Sequence, residues 1–154
     1  MRVVIIVAAA SCALVAASSA EARIVVQHGV AGASLHMTKA QVRARLGAPV
    51  RVRAGRNDFG RYTEFVYSNV TVSFQIGARA TAFRVSTRAE RTAGGIGVGS
   101  TEAAVKAGIA HITCRTESGF RHCFVGRFLP GRVVTDFRIR SGRVRSITIG
   151  YVLD

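Results

Sequence analysis

The chain has no tryptophan, two prolines, three cysteines and only eight acidic residues among its 154 residues. Without tryptophan, and without a basic run interleaved with aromatic residues, it lacks the stacking surface of a single-strand nucleic-acid binder. The scarcity of proline and the lack of a long Pro/Ser-rich stretch exclude an extended linker between domains. The histidine, cysteine and acidic residues form no known nucleophile or metal-ligand signature. We therefore expect a protein that is not an enzyme and that holds neither a metal nor a cofactor.

The shortage of acid contrasts with 22 basic residues, of which 20 are arginine, and gives a formal net charge of +14. Arginine forks match phosphate and carboxylate, so one interpretation is a polyanion binder. The other is the codon bias of a genome rich in G and C, which favours Arg, Ala, Gly and Val. The arginines occur singly through every predicted element, and this favours the compositional interpretation. An anionic polymer or lipid surface stays an alternative partner, whereas nucleic acid is not expected for an exported chain.

The N-terminal residues follow the order of a secretory signal. Arg2 gives a basic start, an apolar run extends over residues 3–17, and small residues precede a cleavage site after Ala20, with a second site after Ala22. The apolar run is shorter than the roughly 20 residues that a spanning helix needs, which argues against a membrane anchor. Cys12 lacks the large residue that normally precedes a lipoprotein cysteine. We expect residues 1–20 to be a cleaved signal peptide and the protein to be secreted or held in the cell envelope.

A sequence pattern recurs at a fixed offset in the rest of the chain. A shift of 63 positions places Thr38 on Thr101, Val42 on Val105 and Phe74 on Phe137. An offset that holds over a long stretch indicates a duplicated structural unit. The pattern predicts two tandem units, residues 29–91 and 92–154, with a turn at their junction.

Each predicted unit opens with a helix. Thr38 is suited to the N-cap, and Gln41, three residues later, can complete a capping box. Gly47 followed by Pro49 predicts the end of that helix. The second helix starts at Thr101 and is expected to be weaker, because it lacks the reciprocal glutamine and contains a glycine.

Short strands separated by turn residues follow each helix. Apolar and polar residues alternate along residues 70–76 and along residues 133–140, which is typical of antiparallel strands covered on one face. We therefore predict an α+β fold of two tandem helix-plus-antiparallel-meander repeats, with the helices on one face of the sheets. The other face is predicted to be polar and open, and its candidate partner-binding residues are Thr71, Ser73, Gln75, Asp136, Arg138 and Arg140.

Two cysteines, Cys114 and Cys123, lie beyond the signal sequence. If Ser118 and Gly119 form a two-residue hairpin turn, the two cysteines face each other across the strands. A metal site that also used neighbouring histidines is the alternative. Residues three apart on an extended strand point to opposite faces, so these ligands would not converge. Export also favours oxidation, and we predict a disulfide within the second unit.

The stretch from Met37 to Val42, followed by Leu46-Gly-Ala-Pro49 and an antiparallel meander, resembles the SmpA/OmlA (BamE-like) envelope lipoprotein family. In tandem, the pattern is similar to the β-lactamase inhibitor protein family. These resemblances imply helical structure packed against a four-stranded sheet in each half. They also imply a protein that binds other proteins through the sheet or its flanking loops and is not an enzyme.

The sequence thus predicts an exported, non-catalytic binding module that acts through the open polar face of its sheet. A protein in the envelope or outside the cell is the expected partner. Asp136, beside Arg138 and Arg140, favours a shaped partner over a simple polyanion because the acid would repel the polyanion. Adhesion to an anionic envelope polymer or lipid, and inhibition of a secreted enzyme, are the alternatives.

Overall fold

The computed structural model describes residues 23–153, so the predicted signal peptide and both of its cleavage sites lie outside the described residues. The described chain contains eleven strands and two helices. In chain order these are β1 (Ile24–Val25), β2 (Gly29–Val30), β3 (Ala33–Ser34), α1 (Lys39–Leu46), β4 (Arg51–Asn57), β5 (Gly60–Val66), β6 (Val70–Gln75), β7 (Ala82–Val85), α2 (Glu102–Gly108), β8 (Thr113–Glu117), β9 (Phe120–Gly126), β10 (Val133–Arg140) and β11 (Arg143–Tyr151).

Strands β4 to β11 form one antiparallel sheet in the order β4-β5-β6-β7-β11-β10-β9-β8. The first four run inward from one edge in chain order, and the last four start from the other edge. The two series meet at the centre, where Phe83 pairs with Ile149 and Val85 pairs with Ile147. All four of these side chains are fully buried. The pairing of β7 with β11 therefore buries two apolar strands that would otherwise be unpaired edges of two separate sheets.

The predicted fold class, α+β with two tandem helix-plus-meander repeats, is wrong. Hydrogen bonding between β7 and β11 joins the strands of both predicted units into one eight-stranded sheet. The helices contain only eight and seven residues, so the described fold is mainly β. The boundaries 29–91 and 92–154 stay a prediction. Alternation within single strands carries no information about which strands pair at the centre, and this is why the sequence did not reveal the continuous sheet.

The two helices begin as the capping residues predict. The hydroxyl of Thr38 accepts from the Gln41 amide at 3.3 Å, and the Thr38 amide donates to Gln41 Oε1 at 2.9 Å. In α2 the Thr101 hydroxyl accepts from the Ala104 amide at 3.1 Å, without a reciprocal bond from Ala104. Neither helix of the described residues has the length and apolar character needed to cross a membrane.

The first three strands form a small separate sheet that the sequence analysis missed. Strands of two residues are too short to show a period-two pattern. Ile24, Val30 and Ala33 of this sheet are buried in the core. The backbone N–H of Gln27 donates to Thr135 Oγ1 at 2.7 Å and satisfies a hydroxyl that is fully buried on β10.

The core lies between one face of the large sheet and a layer made of α1, α2 and the small sheet. Its largest side chains are Phe65, Phe74, Phe83 and Phe137, and the Phe65 and Phe74 rings meet edge to face with centroids 4.8 Å apart. Because successive residues of a strand point to opposite faces, the remaining residues of the same strands form a second surface, which we call the open face.

Candidate functional site

The strand register places all six predicted contact residues on the open face. Thr71, Ser73 and Gln75 lie on β6, whereas Asp136, Arg138 and Arg140 lie on β10. Two strands, β7 and β11, separate these sets, which puts them three strand spacings or about 14 Å apart. The structure therefore divides the predicted surface into two regions with different chemistry.

The first region, which we call the aromatic concavity, is a cavity of about 720 Å³ at the β4–β6 end of the open face. Phe59 and Leu153 are 40% and 37% exposed at its rim. Gly55 lets the Tyr62 ring lie across β4, because a Cβ at this position would come within 2.7 Å of Tyr62 Oη. We define the aromatic concavity by Asn57, Phe59, Tyr62, Ser73, Gln75 and Leu153. Two exposed arginines, Arg56 and Arg84, also line this cavity, and Arg84 lines the neighbouring cavity on β7, β11 and β10 as well.

A closed hydrogen-bond network forms the floor of the aromatic concavity. Asn57 Nδ2 donates to Gln75 Oε1 at 3.2 Å, and Gln75 Nε2 donates to Asn57 Oδ1 at 3.0 Å. The Gln75 backbone N–H also donates to Thr81 Oγ1 at 3.0 Å. Gln75 is only 9% exposed. It therefore lies on the predicted face, but its polar groups are bonded within the chain, and it acts as a rigid floor.

The second region consists of two cavities that share Arg140 and Arg145. The first, of about 590 Å³, spans β7, β11 and β10, and the second, of about 380 Å³, extends past the β10–β11 turn. We call the pair the arginine groove, and we define it by six exposed side chains: Arg84, Arg88, Arg138, Arg140, Arg143 and Arg145.

The β10–β11 hairpin is what brings most of these arginines together. Its turn, Ser141-Gly142, has positive φ at both residues, and Arg140 pairs directly with Arg143 across the strands. A register shift after Arg138 leaves Arg145 as an extra residue on β11. Such a bulge re-aims a side chain, and here Arg145 lines both cavities.

None of the six groove arginines forms an ion pair with an acidic residue within residues 23–153. The carboxylates of that part of the chain are engaged elsewhere, for example Glu90 with Arg23 at 2.8 Å and Glu102 with Lys106 at 2.8 Å. Two groove arginines are nevertheless held in place. The Arg138 guanidinium lies 4.0 Å from the centroid of the Phe120 ring, and Arg143 Nη1 donates to the Gly99 carbonyl at 3.0 Å. The groove thus concentrates six positive charges that form no ion pair with a carboxylate of residues 23–153.

Asp136, the acid on the same face, does not line either cavity of the groove. Its carboxylate is within 2.8 Å of His122 Nδ1, and only about a quarter of its side chain is exposed (28%). Burial raises the pKa of Asp136, although the His122 hydrogen bond and Arg138 act in the opposite direction. Asp136 therefore lies beside the groove and bonds to His122, and its charge reaches the groove only at Arg138.

The predicted disulfide is confirmed. Cys114 and Cys123 are bonded and directly opposed in the β8–β9 register. The turn between the strands consists of Ser118 and Gly119, both with positive φ, as a two-residue hairpin requires. The bond ties the outermost strand, β8, to the sheet.

Sequence reasoning missed the arginine groove because it treated the arginines as scattered. The signal was present in residues 138–145, where Arg138, Arg140, Arg143 and Arg145 flank a Ser-Gly turn at alternate positions. Alternation about a two-residue turn places such side chains on one face of a hairpin. The contribution of Arg84 depends on the pairing of β7 with β11, which local sequence does not encode.

No family model matches this chain, and no curated protein matches it. Two solved structures are similar in fold. An extracellular protein containing a SCP domain, from Bacillus anthracis str. Ames, has a TM-score of 0.49 and 10% identity, over 76% of this chain and 44% of that chain. A DUF4309 family protein (YjgB) from Bacillus subtilis subsp. subtilis str. 168 has a TM-score of 0.50 and 17% identity, over 84% of this chain and 88% of that one. The chain thus spans less than half of the first structure, and at such identity the second likeness concerns the fold alone.

Proposed function

We propose that the protein is an exported, non-catalytic binding module that receives a protein partner on its open face, at the aromatic concavity. The observation that carries this proposal is the set of exposed apolar side chains, Phe59 and Leu153, around a hydrogen-bonded floor. Aromatic residues with a few fixed polar groups are enriched at the centres of protein–protein interfaces. The N-terminal signal pattern and the Cys114–Cys123 disulfide support export.

The aromatic concavity is held rigidly before any partner arrives. The Asn57 side chain bonds to Gln75 and also accepts from the Phe59 backbone N–H at 3.0 Å, which fixes the tip of the β4–β5 hairpin. A rigid surface loses less conformational freedom on binding, so more of the contact energy contributes to affinity. This favours a site that accepts an apolar side chain of a folded partner.

The His122 ring is held by an acidic side chain of β10. Its Nδ1 bonds to Asp136, which is the arrangement of a general base and its orienting acid. His122 Nε2 is buried, has no hydrogen-bond partner among the described residues and lies 3.6 Å from Glu117 Oε2, a carboxylate rather than a hydroxyl or thiol. The sulfurs of Cys114 and Cys123 are both engaged in the disulfide.

The test is affinity capture from envelope and culture medium at moderate salt, with wild type, Phe59→Ser plus Leu153→Ser, and Val50→Ser. Val50 is 80% exposed and precedes β4, so its variant removes a comparable apolar group outside the concavity. Loss of interface anchors typically costs about 2 kcal/mol or more, so the double variant should retain its partner at least about tenfold less well. The Val50→Ser control should behave as wild type. Equal retention by all three proteins would refute the proposal.

A further inference from the structure

We infer that the arginine groove is a binding site for a linear phosphate polymer, a ligand that carries several phosphate groups in a row. This inference goes beyond the proposed protein partner, because it concerns the other region of the open face and does not depend on Phe59 or Leu153. Six exposed guanidinium groups line two cavities that share Arg140 and Arg145.

Repulsion between its arginines makes the groove electrostatically unfavourable when no ligand is bound. Like charges directly opposite each other on paired strands destabilise a sheet, and Arg140 faces Arg143 in this way. The bulge adds Arg145 to the same cluster, although the bulge also interrupts an otherwise regular ladder. Departures from local rules without compensation within the chain are typical of functional sites. An anionic ligand supplies that compensation.

Two of the groove arginines are held in fixed positions before a ligand binds, so the groove is partly preorganised. Arg138 is fixed against Phe120, and Arg143 is fixed by the Gly99 carbonyl. Ser86 and Ser146 also line the larger cavity, and a serine hydroxyl can donate to an oxyanion. A flexible arginine loses rotamer freedom on binding, so arginines that are already held contribute more to affinity.

The geometry of the guanidinium groups and the extent of the groove indicate the chemical class of the ligand. Each guanidinium can bond two oxygens of a phosphate or carboxylate in a fork. A single monovalent anion would neutralise one of six charges, whereas the groove extends over two neighbouring cavities of about 590 and 380 Å³ that share Arg140 and Arg145. A phosphate polymer places charges at regular short intervals and offers tetrahedral oxygens to several arginines at once. Phe120, the exposed ring that lines the larger cavity, is covered on one face by Arg138, which leaves less of the ring for a nucleic-acid base to stack on.

The experiment titrates the purified mature protein with inorganic polyphosphate in a calorimeter at several salt concentrations. The groove variant is Arg138→Gln plus Arg140→Gln plus Arg145→Gln. The control variant, Arg45→Gln plus Arg61→Gln plus Arg132→Gln, removes the same charge from exposed positions outside the groove. Thermal melting verifies that both variants fold.

We expect the groove variant to lose at least about tenfold in affinity, and the slope of log affinity against log salt to fall by about 2, as the loss of three phosphate contacts predicts. The control variant should lose less than about threefold, since it changes only the diffuse charge. The Phe59→Ser plus Leu153→Ser protein should bind polyphosphate as wild type does, which separates this inference from the proposed protein partner. Equal weakening of both triple variants would overturn the inference.

Three further ligands distinguish the source of the anion. Poly(glycerol phosphate) should bind in the groove as polyphosphate does, since both are linear phosphate chains. Polyglutamate of similar charge should bind more weakly, and equal affinity would reassign the groove to an acidic protein surface. Vesicles containing phosphatidylglycerol should not bind more tightly than the soluble polymers. Binding to vesicles alone would replace the phosphate polymer with a lipid surface.

Discussion

The two regions of the open face use the same sheet in opposite ways. On the floor of the aromatic concavity, polar groups are bonded within the chain: Asn57 and Gln75 bond to each other, and Glu64 lies 3.7 Å from Arg53. Only two exposed arginines, Arg56 and Arg84, line that cavity among the described residues, and Arg84 is shared with the groove. In the arginine groove, six cations accumulate without a carboxylate from residues 23–153. A region whose polar groups are satisfied offers apolar contact, whereas a region with excess charge offers electrostatic attraction. The difference indicates two kinds of ligand on one face.

The two edge strands of the sheet also differ, in how firmly each is held to its neighbour. Strand β4, beside the aromatic concavity, is exposed at all seven residues and is held by its pairing with β5 and by the Asn57–Gln75 bonds to β6, without a covalent tie. Strand β8, at the other edge, is tied to β9 by the disulfide. The β9 strand contributes Phe120, whose ring supports Arg138 in the groove. The covalent tie therefore stabilises the edge on which the groove depends.

The largest effect is expected from removing that tie. Cys114→Ala plus Cys123→Ala should lower the free energy of unfolding by about 2 to 3 kcal/mol, chiefly because the unfolded chain regains the freedom of a short loop. Urea unfolding measures the loss. Amide exchange should accelerate more in β8 and β9 than in β4 and β5. Equal acceleration at both edges, or no loss of stability, would contradict the asymmetry between the edges.

A second, intermediate effect on stability is expected at α2 and not at α1, because only α2 has an acidic residue in its first turn. The first turn of α1, which contacts β5 through Lys39 Nζ and Thr63 at 3.0 Å, has no acidic residue. The first turn of α2 has Glu102, which pairs with Arg121 of β9 and with Lys106. The hydrogen bonds from Arg121 and Lys106 lower the pKa of Glu102 to about 2, from an ordinary value of 4.5.

Because this pKa is lowered in the folded state, the stabilisation is fully present above pH 4.5 and is lost as the pH falls toward 2. Lys106 is 52% exposed and Arg121 36%, so solvent screening limits the stabilisation to about 1 kcal/mol. Glu102→Gln should therefore lower stability at pH 7 by about 1 kcal/mol and leave it nearly unchanged at pH 2. The measurement is urea unfolding of both proteins across this range. A difference between them that is constant with pH would show that the carboxylate charge contributes nothing.

Local chemistry made several features predictable from the sequence. The Thr38–Gln41 capping box, the Ser118-Gly119 turn and the opposed cysteines each depend on residues fewer than ten positions apart. The alternation along β6 and β10 likewise identified which residues point away from the core. These features follow from backbone geometry and short-range hydrogen bonds.

The features that were not predictable depend on which distant strands pair. The junction of β7 with β11 decides that there is one sheet, and it also brings Arg84 beside the β10–β11 hairpin. The burial of Gln75 depends on Asn57, which lies two strands away. Propensity and periodicity describe each strand separately, so neither the continuous sheet nor the clustering of arginines follows from them.

The smallest effect tests whether the groove is electrostatically unfavourable when it is empty. Arg140→Gln removes one member of the directly opposed Arg140–Arg143 pair, and it should raise the free energy of unfolding by about 0.2 to 0.5 kcal/mol at low salt. Arg53→Gln, on the other region, removes the partner of Glu64 and should lower stability by a similar amount.

Urea unfolding without phosphate, at low salt and at 1 M NaCl, measures both changes. At 1 M salt the screening length falls to about 3 Å, so both changes should shrink toward zero. Added polyphosphate should reverse the sign for Arg140→Gln alone, because the wild-type groove then gains a ligand that stabilises the folded state. If Arg140→Gln is destabilising without a ligand, Arg140 is already satisfied within the chain. The contrast between the two regions would then be one of composition and would carry no information about ligands.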